Sequence, residues 1–172
     1  MARTGASEPA PASESIVASF TQGVAMPTIA RSEMLIRAPA AAVFAAFVEP
    51  AWLKKFWLKK ASGPLAVGQA VQWEFLVPGA REQVKAVRLE PGRHITFNWS
   101  DGTTVDIRLA RFGRATRVTV EMTGFRGKSA ADEAVGATEG FAIVLCDLKA
   151  LLEQGTSGGM VRDKARLIAA QP

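Results

Sequence analysis

Cysteine, histidine and tyrosine are nearly absent from this chain of 172 residues: one Cys, one His, no Tyr. The lone Cys146 excludes an internal disulfide framework, because bridges need pairs. With His94 and Cys146 as the sole imidazole and thiolate, a tetrahedral metal site on such ligands is excluded as well, since three or four are required. A Ser–His–Asp triad would have to use His94, which follows the turn Pro91-Gly92-Arg93 and is expected to be an exposed turn residue. Long apolar runs are also missing, for charges interrupt every one well before the ~18 residues of a membrane-spanning helix. The opening MARTGASEPAPASES has Pro, Ser and Glu where a secretory signal would be continuously apolar. A soluble, cytoplasmic protein without a stable membrane anchor is expected.

What is present is ordinary for a globular domain: 48% hydrophobic and 22% charged residues. A single domain of this length buries roughly 70% of its unfolded surface and needs no metal to fold. The net charge of +5 raises the question of nucleic acid or anionic surfaces. The positive residues are dispersed except for Lys54, Lys55, Lys59 and Lys60 around Phe56 and Trp57. They are expected to form a solvated helix face and adjoining loop, with an anion-attracting rim as the alternative. Neither a phosphate-cradling glycine loop nor an interleaved basic–aromatic strip is present, so nucleic acid is not an expected partner and no cofactor is expected.

Residues 1–27 are rich in Ala, Ser, Pro and Gly and are predicted to be a flexible leader. Ile16, Val17 and Phe20 leave room there for a short docking helix. From Thr28, Ala30, Ser32, Met34 and Ile36 alternate with Arg31, Glu33 and Arg37 as in a half-buried strand. Pro39 suits a first helical turn, Val43, Phe44 and Phe47 give an apolar stripe, and Pro50 opens a second short helix through Trp57. After Gly63-Pro64 come five strands separated by turns, among them Pro78-Gly79, Pro91-Gly92 and Asp101-Gly102, the last a two-residue hairpin signal. The period then lengthens to that of a helix capped by Ser129 and ended by Gly155, whose apolar face carries Phe141, Val144, Leu145, Leu148, Leu151 and Leu152. Residues 156–172 are a tail with room for one more short helix around Val161, Leu167 and Ile168.

An α+β domain follows, residues 28–155, with a curved six-stranded antiparallel sheet and two short helices after the first strand. The long C-terminal helix alone is long enough to cover the sheet's apolar face. A curved sheet cannot touch a straight helix everywhere, so a gap lined by inward side chains is expected.

Three stretches carry a family resemblance: IRAPAAAVFAAFVEPAWLKKFW (Ile36 to Trp57), LEPGRHITFNW (Leu89 to Trp99) and GFAIVLCDLKALLEQG (Gly140 to Gly155). They resemble the START-like, or SRPBCC, helix-grip superfamily, most of all the bacterial single-domain branch similar to the C-terminal domain of the heat-shock chaperone ATPase activator. The resemblance implies a helix-grip fold over about Thr28 to Gly155. As the family is known, it includes lipid-transfer domains, aromatic polyketide cyclases and a chaperone activator. The activator has a separate N-terminal domain, which residues 1–27 are expected to be too short and polar to form.

Strand alternation and helix face assign an inward set: Trp57, Trp73 and Phe75; Phe97, Trp99, Val105 and Ile107; Met122; and Phe141, Leu145 and Leu148. Each of these residues also fits a plain core. Four Trp without Tyr suggest flat apolar walls with only indole N–H groups as polar handles, suited to a hydrophobic or aromatic small molecule. Glu74, Asp106, Arg108 and Glu121 alternate to the opposite face, so no catalytic residue is assigned. Arg88 lies where its strand mixes two phases. A bulge would turn it inward toward an anionic ligand group; otherwise it faces solvent. The expected function is to bind or carry a hydrophobic small molecule between sheet and long helix. The alternatives are a polyketide-cyclase-like or hydrolase-like enzyme using the same cavity, and a chaperone-activator-like protein docking through the lysines around Trp57.

Overall fold

The computed structural model describes residues 26–171. The expected leader and its docking helix therefore lie outside the described residues, except for Met26 and Pro27. Strand β1 (Ala30–Ile36) leads into helices α1 (Ala40–Val48) and α2 (Pro50–Phe56). Six strands follow: β2 (Leu58–Ala61), β3 (Ala70–Phe75), β4 (Arg81–Glu90), β5 (His94–Asn98), β6 (Thr104–Phe112) and β7 (Ala115–Thr123). Helices α3 (Ala130–Gln154) and α4 (Met160–Ala169) complete the fold. The sheet runs β1-β7-β6-β5-β4-β3-β2 with every neighbouring pair antiparallel.

The sheet thus has seven strands, not the six expected. The extra one, β2, has the sequence LKKA, too short for alternation to reveal, and follows directly on α2. It pairs with β3 as an outer edge, where Lys59 and Lys60 are exposed. Lysines on a sheet edge discourage pairing with other chains. Lys59 also bonds Glu74 of β3 at 2.7 Å. Lys54 and Lys55 sit in the last turn of α2, where positive charge suits the helix dipole, and Lys55 lies 4.1 Å from the centre of the Trp52 ring.

One contiguous core fills the space between the concave face of the sheet and α3, closed at one side by α1 and α2. Val84, Ile95, Phe97, Val105, Ile107 and Val118 point up from the strands. Leu145 and Leu148 come down from α3, also with no exposure. α3 extends about 37 Å at 1.5 Å per residue. Its C-terminal half is tied to the β1–α1 corner, where Glu153 accepts from the Arg37 backbone N–H at 2.7 Å and from Lys149 at 2.6 Å, and Lys149 also donates to the Leu35 carbonyl. Ser129 precedes α3 but makes no capping bond to the backbone, contrary to expectation. Its hydroxyl bonds the Glu133 side chain at 2.6 Å.

β4 does carry a bulge, between Ala86 and Arg88. It leaves both Val87 and Arg88 outside, with Val84 and Ala86 buried before it and Leu89 turned back toward the core after it. Arg88 is not turned inward; its guanidinium bonds Glu90 at 2.8 Å on the exposed surface. The extra residue lets the strand change phase without delivering a polar group to the core.

The convex face carries a charged ladder. Asp106 and Glu121 stand opposite each other on β6 and β7, a repulsive pair that Arg108 bridges at 2.6 and 3.1 Å. His94 opens β5 and is half-buried, not the exposed turn residue expected. Its Nε2 bonds Asp106, which also accepts from Thr96 at 2.8 Å. Strand pairing, which sets His94 beside Arg108 and Thr96 beside Asp106, draws the imidazole down onto the sheet. Burial would raise the pKa of Asp106, but the hydrogen bonds from His94 and Thr96 and the charges of His94 and Arg108 outweigh it, and the pKa is lowered. A lowered folded-state value contributes stability at pH above the unfolded-state pKa and loses it as pH falls through the folded-state pKa. Asp106→Asn should therefore melt below the wild type at neutral pH, with the difference shrinking below about pH 4. A constant difference in Tm across a thermal-unfolding series from pH 7 to 2 would refute this role.

Candidate binding pocket

α3 is not uniform along its length. Toward its C-terminus Leu145, Leu148 and Leu151 fill the sheet's concavity, whereas the N-terminal half offers Ala137 and Gly140. Small residues there leave the curved sheet and the straight helix apart, and a cavity of about 370 Å³ opens between them. This lies within the range of small-molecule sites, at roughly 300–1,000 Å³. One wall is aromatic: Trp57 from the end of α2, Phe75 from β3 and Trp99 after β5, with Phe141 from α3. The β3–β4 turn adds Leu76, Val77 and Ala80, and Met122 closes the β7 side.

The rings form a continuous edge-to-face network. Trp73 lies at the centre, 5.1 Å from Trp57, 5.4 Å from Phe97 and 5.6 Å from Trp99 between ring centroids. Phe97 and Trp99 are 5.2 Å apart, and Trp57 meets Phe141 at 6.0 Å. Such contacts stiffen the wall beyond what area burial provides. The Trp73 indole N–H is buried without a hydrogen-bond partner among the described residues. Its ring neighbours can offer only π faces, which are weak acceptors.

Of the eleven residues assigned inward from sequence, five border the cavity: Trp57, Phe75, Trp99, Met122 and Phe141. The other six, Trp73, Phe97, Val105, Ile107, Leu145 and Leu148, lie beneath in solid core. Arg88 is on the outer surface. Trp99 is presented by the β5–β6 loop, which spans Trp99–Thr103 and is longer than the two-residue turn expected. The Asp101 carboxylate accepts from both the backbone N–H and the hydroxyl of Thr103, at 2.8 and 2.6 Å, and so consumes the residues of a tight turn in a wider one.

The remaining wall is α4, which contributes Val161, Lys164, Ala165 and Ile168. Its placement depends on Asp147, which sequence reading passed over as a polar residue on the long helix. Asp147 is 1% exposed. One carboxylate oxygen accepts from the Ser157 hydroxyl and the other from the Val161 backbone N–H, each at 2.8 Å. The second bond satisfies a donor in the first turn of α4. Gly155 ends α3 at φ +82° and Gly159 starts α4 at φ +79°, left-handed conformations that let the chain fold back at once. A charged residue inside an apolar helix stripe was the available signal, but its partners were two backbone turns away.

Residues 37–153 match the model of the family described as Activator of Hsp90 ATPase homolog 1-like protein. The chain belongs to that family. Among solved structures, SSP2350 from Staphylococcus saprophyticus is similar to this Activator of Hsp90 ATPase homolog 1-like chain at 25% identity and TM-score 0.68, covering 75% of this chain and 94% of that one. The Aha1 dimer from Colwellia psychrerythraea gives 22% identity and TM-score 0.68 over 74% of this chain and 97% of that one. CalU16 from Micromonospora echinospora gives 18% and 0.60, over 84% and 96%. Among curated proteins none matches the sequence. The family match ends at residue 153, so α4 lies outside the matched residues.

Among the described residues no group of three or more His, Cys, Asp or Glu side chains is placed to hold a metal, and no helix is long and apolar enough to cross a membrane. Cys146 is half-buried on α3. The dependence of α4 on Asp147 is testable by hydrogen exchange. Asp147→Ala removes the acceptor of two part-buried hydrogen bonds, each worth about 0.5–1.5 kcal/mol. Amides of residues 160–169 should then exchange at least about tenfold faster, while β5–β7 keep their protection. Unchanged exchange in α4 would show that apolar packing alone seats it.

Proposed function

We propose that this protein binds or carries a hydrophobic small molecule in the cavity between the sheet, the N-terminal half of α3 and α4. The observation that carries the reading is the composition of the wall: of sixteen lining residues, fifteen are apolar or glycine and one, Lys164, is charged. A site lined this way gains affinity from displaced water and aromatic contact. It does not bring together the pair of ionisable groups that general acid–base chemistry draws on, which favours binding over the enzymatic alternative. The docking alternative through the lysines around Trp57 gains less support. Lys59 is held by Glu74 and Lys55 by Trp52, so two of the four are engaged within the molecule.

The neutral fluorophore N-phenyl-1-naphthylamine tests the assignment. Saturable binding to the wild type is expected. Trp99→Ala together with Phe141→Ala should abolish it while the far-ultraviolet circular dichroism persists. A filling substitution avoids the objection that truncation merely destabilises. A Cβ on Gly140 meets nothing within 4 Å, and Gly140 borders the cavity within a helix. Gly140→Leu should hold or raise Tm, because glycine costs about 1 kcal/mol in a helix interior, and should weaken probe binding by at least about tenfold. Probe binding unaffected by Gly140→Leu would sink the cavity assignment.

A further inference from the structure

The single charge on the pocket wall comes from the element that lies outside the family match. Lys164 occupies the pocket side of α4, with its side chain 33% exposed. Its ammonium bonds Glu139 of α3 at 2.8 Å, a carboxylate 56% exposed. The pair joins the two helices: Lys164 borders the otherwise apolar cavity, and Glu139 lies outside its lining. Burying a ligand's polar end against such a wall costs free energy unless it finds a partner, and Lys164 is the partner available. Glu139 is held only by Lys164 among the described residues and has water on its other sides, so it can leave the ammonium at small cost.

We infer that the pocket takes an apolar molecule ending in a carboxylate, which replaces Glu139 on the Lys164 ammonium while its body lies against Trp57, Trp99 and Phe141. The inference rests on the cavity reading and narrows it. A carboxylate is the group the ammonium already holds in the absence of ligand, so the exchange replaces one carboxylate with another as the lysine side chain turns from Glu139 toward the cavity. The same arrangement makes α4 the selecting element. Its apolar residues Val161, Ala165 and Ile168 close the cavity, and Lys164, the one of its cations that lines the cavity, fixes which end of the ligand points out. Glu139 then acts as an internal competitor that a carboxylate ligand has to displace and an uncharged one does not.

The test is displacement of N-phenyl-1-naphthylamine from the full-length protein by decanoate and, separately, by decanol, which share a chain and differ at the head. Lys164→Gln should weaken decanoate by about tenfold, the scale of one partly exposed charge-assisted hydrogen bond, and leave decanol unmoved. Glu139→Gln should strengthen decanoate and again leave decanol unmoved, which a purely structural role for the pair would not produce. If Lys164→Gln weakens both competitors alike, Lys164 acts by seating α4 and the inference is overturned. If it changes neither, the carboxylate does not reach Lys164 and the inference is overturned as well. Failure of the cavity reading looks different: the neutral probe itself would not bind the wild type, or would bind Gly140→Leu equally, and the inference would fall with it.

Discussion

The packing of the apolar face of α3 into the concave face of the sheet is the contact on which everything else depends. Among the described residues no other helix is long enough to cover seven strands, and the strands bury their large side chains only because α3 lies across them. The same contact decides where the molecule is solid and where it is hollow. Leucines on the C-terminal half of α3 fill the concavity, and Ala137 with Gly140 on the other half do not. The cavity is the geometric remainder between a straight rod and a twisted sheet, placed by residue size along one helix.

The two faces of the sheet have separate work. The concave face holds the aromatic network, in which Trp73 is fixed by rings on three sides and forgoes a hydrogen bond for its indole N–H. The convex face holds ion pairs and the His94–Asp106–Thr96 cluster, each partly hydrated and individually worth little. β4 is where the two demands conflict. Its bulge lets the strand satisfy the core with Ala86 and Leu89 while Val87 and Arg88 are released to the outside.

α4 turns the gap into a pocket. Buried Asp147 holds its first turn through the backbone N–H of Val161 and, through Ser157, the connection that leads into it. Removing water from a carboxylate is costly, and the two hydrogen bonds are what make the position tolerable. The cost is justified structurally by what it secures: an apolar wall with a single cation, Lys164, facing the aromatic one. The fold is shared with the family, whereas this wall is contributed by residues beyond the family match.

The order of elements, the antiparallel meander, the long covering helix and the inward aromatic set were legible in the amino-acid sequence, because period 2 and period 3.6 patterns report directly which side of an element is buried. The four-residue β2 was not, since two apolar ends around two lysines carry no period. Alternation also cannot separate a residue bordering a cavity from one in solid core: Trp73 and Trp99 look the same in a strand, yet Trp73 is sealed and Trp99 lines the pocket. His94 read as an exposed turn residue because its partner Asp106 is brought to it only by strand register. Asp147 and Lys164 drew no attention in the sequence because their partners lie across a fold-back that two glycines permit. Local chemistry thus determined which residues face inward, and the tertiary structure alone decided which inward faces meet and where they fail to meet, because that depends on the sheet's curvature and on side-chain volumes summed across elements distant in the chain.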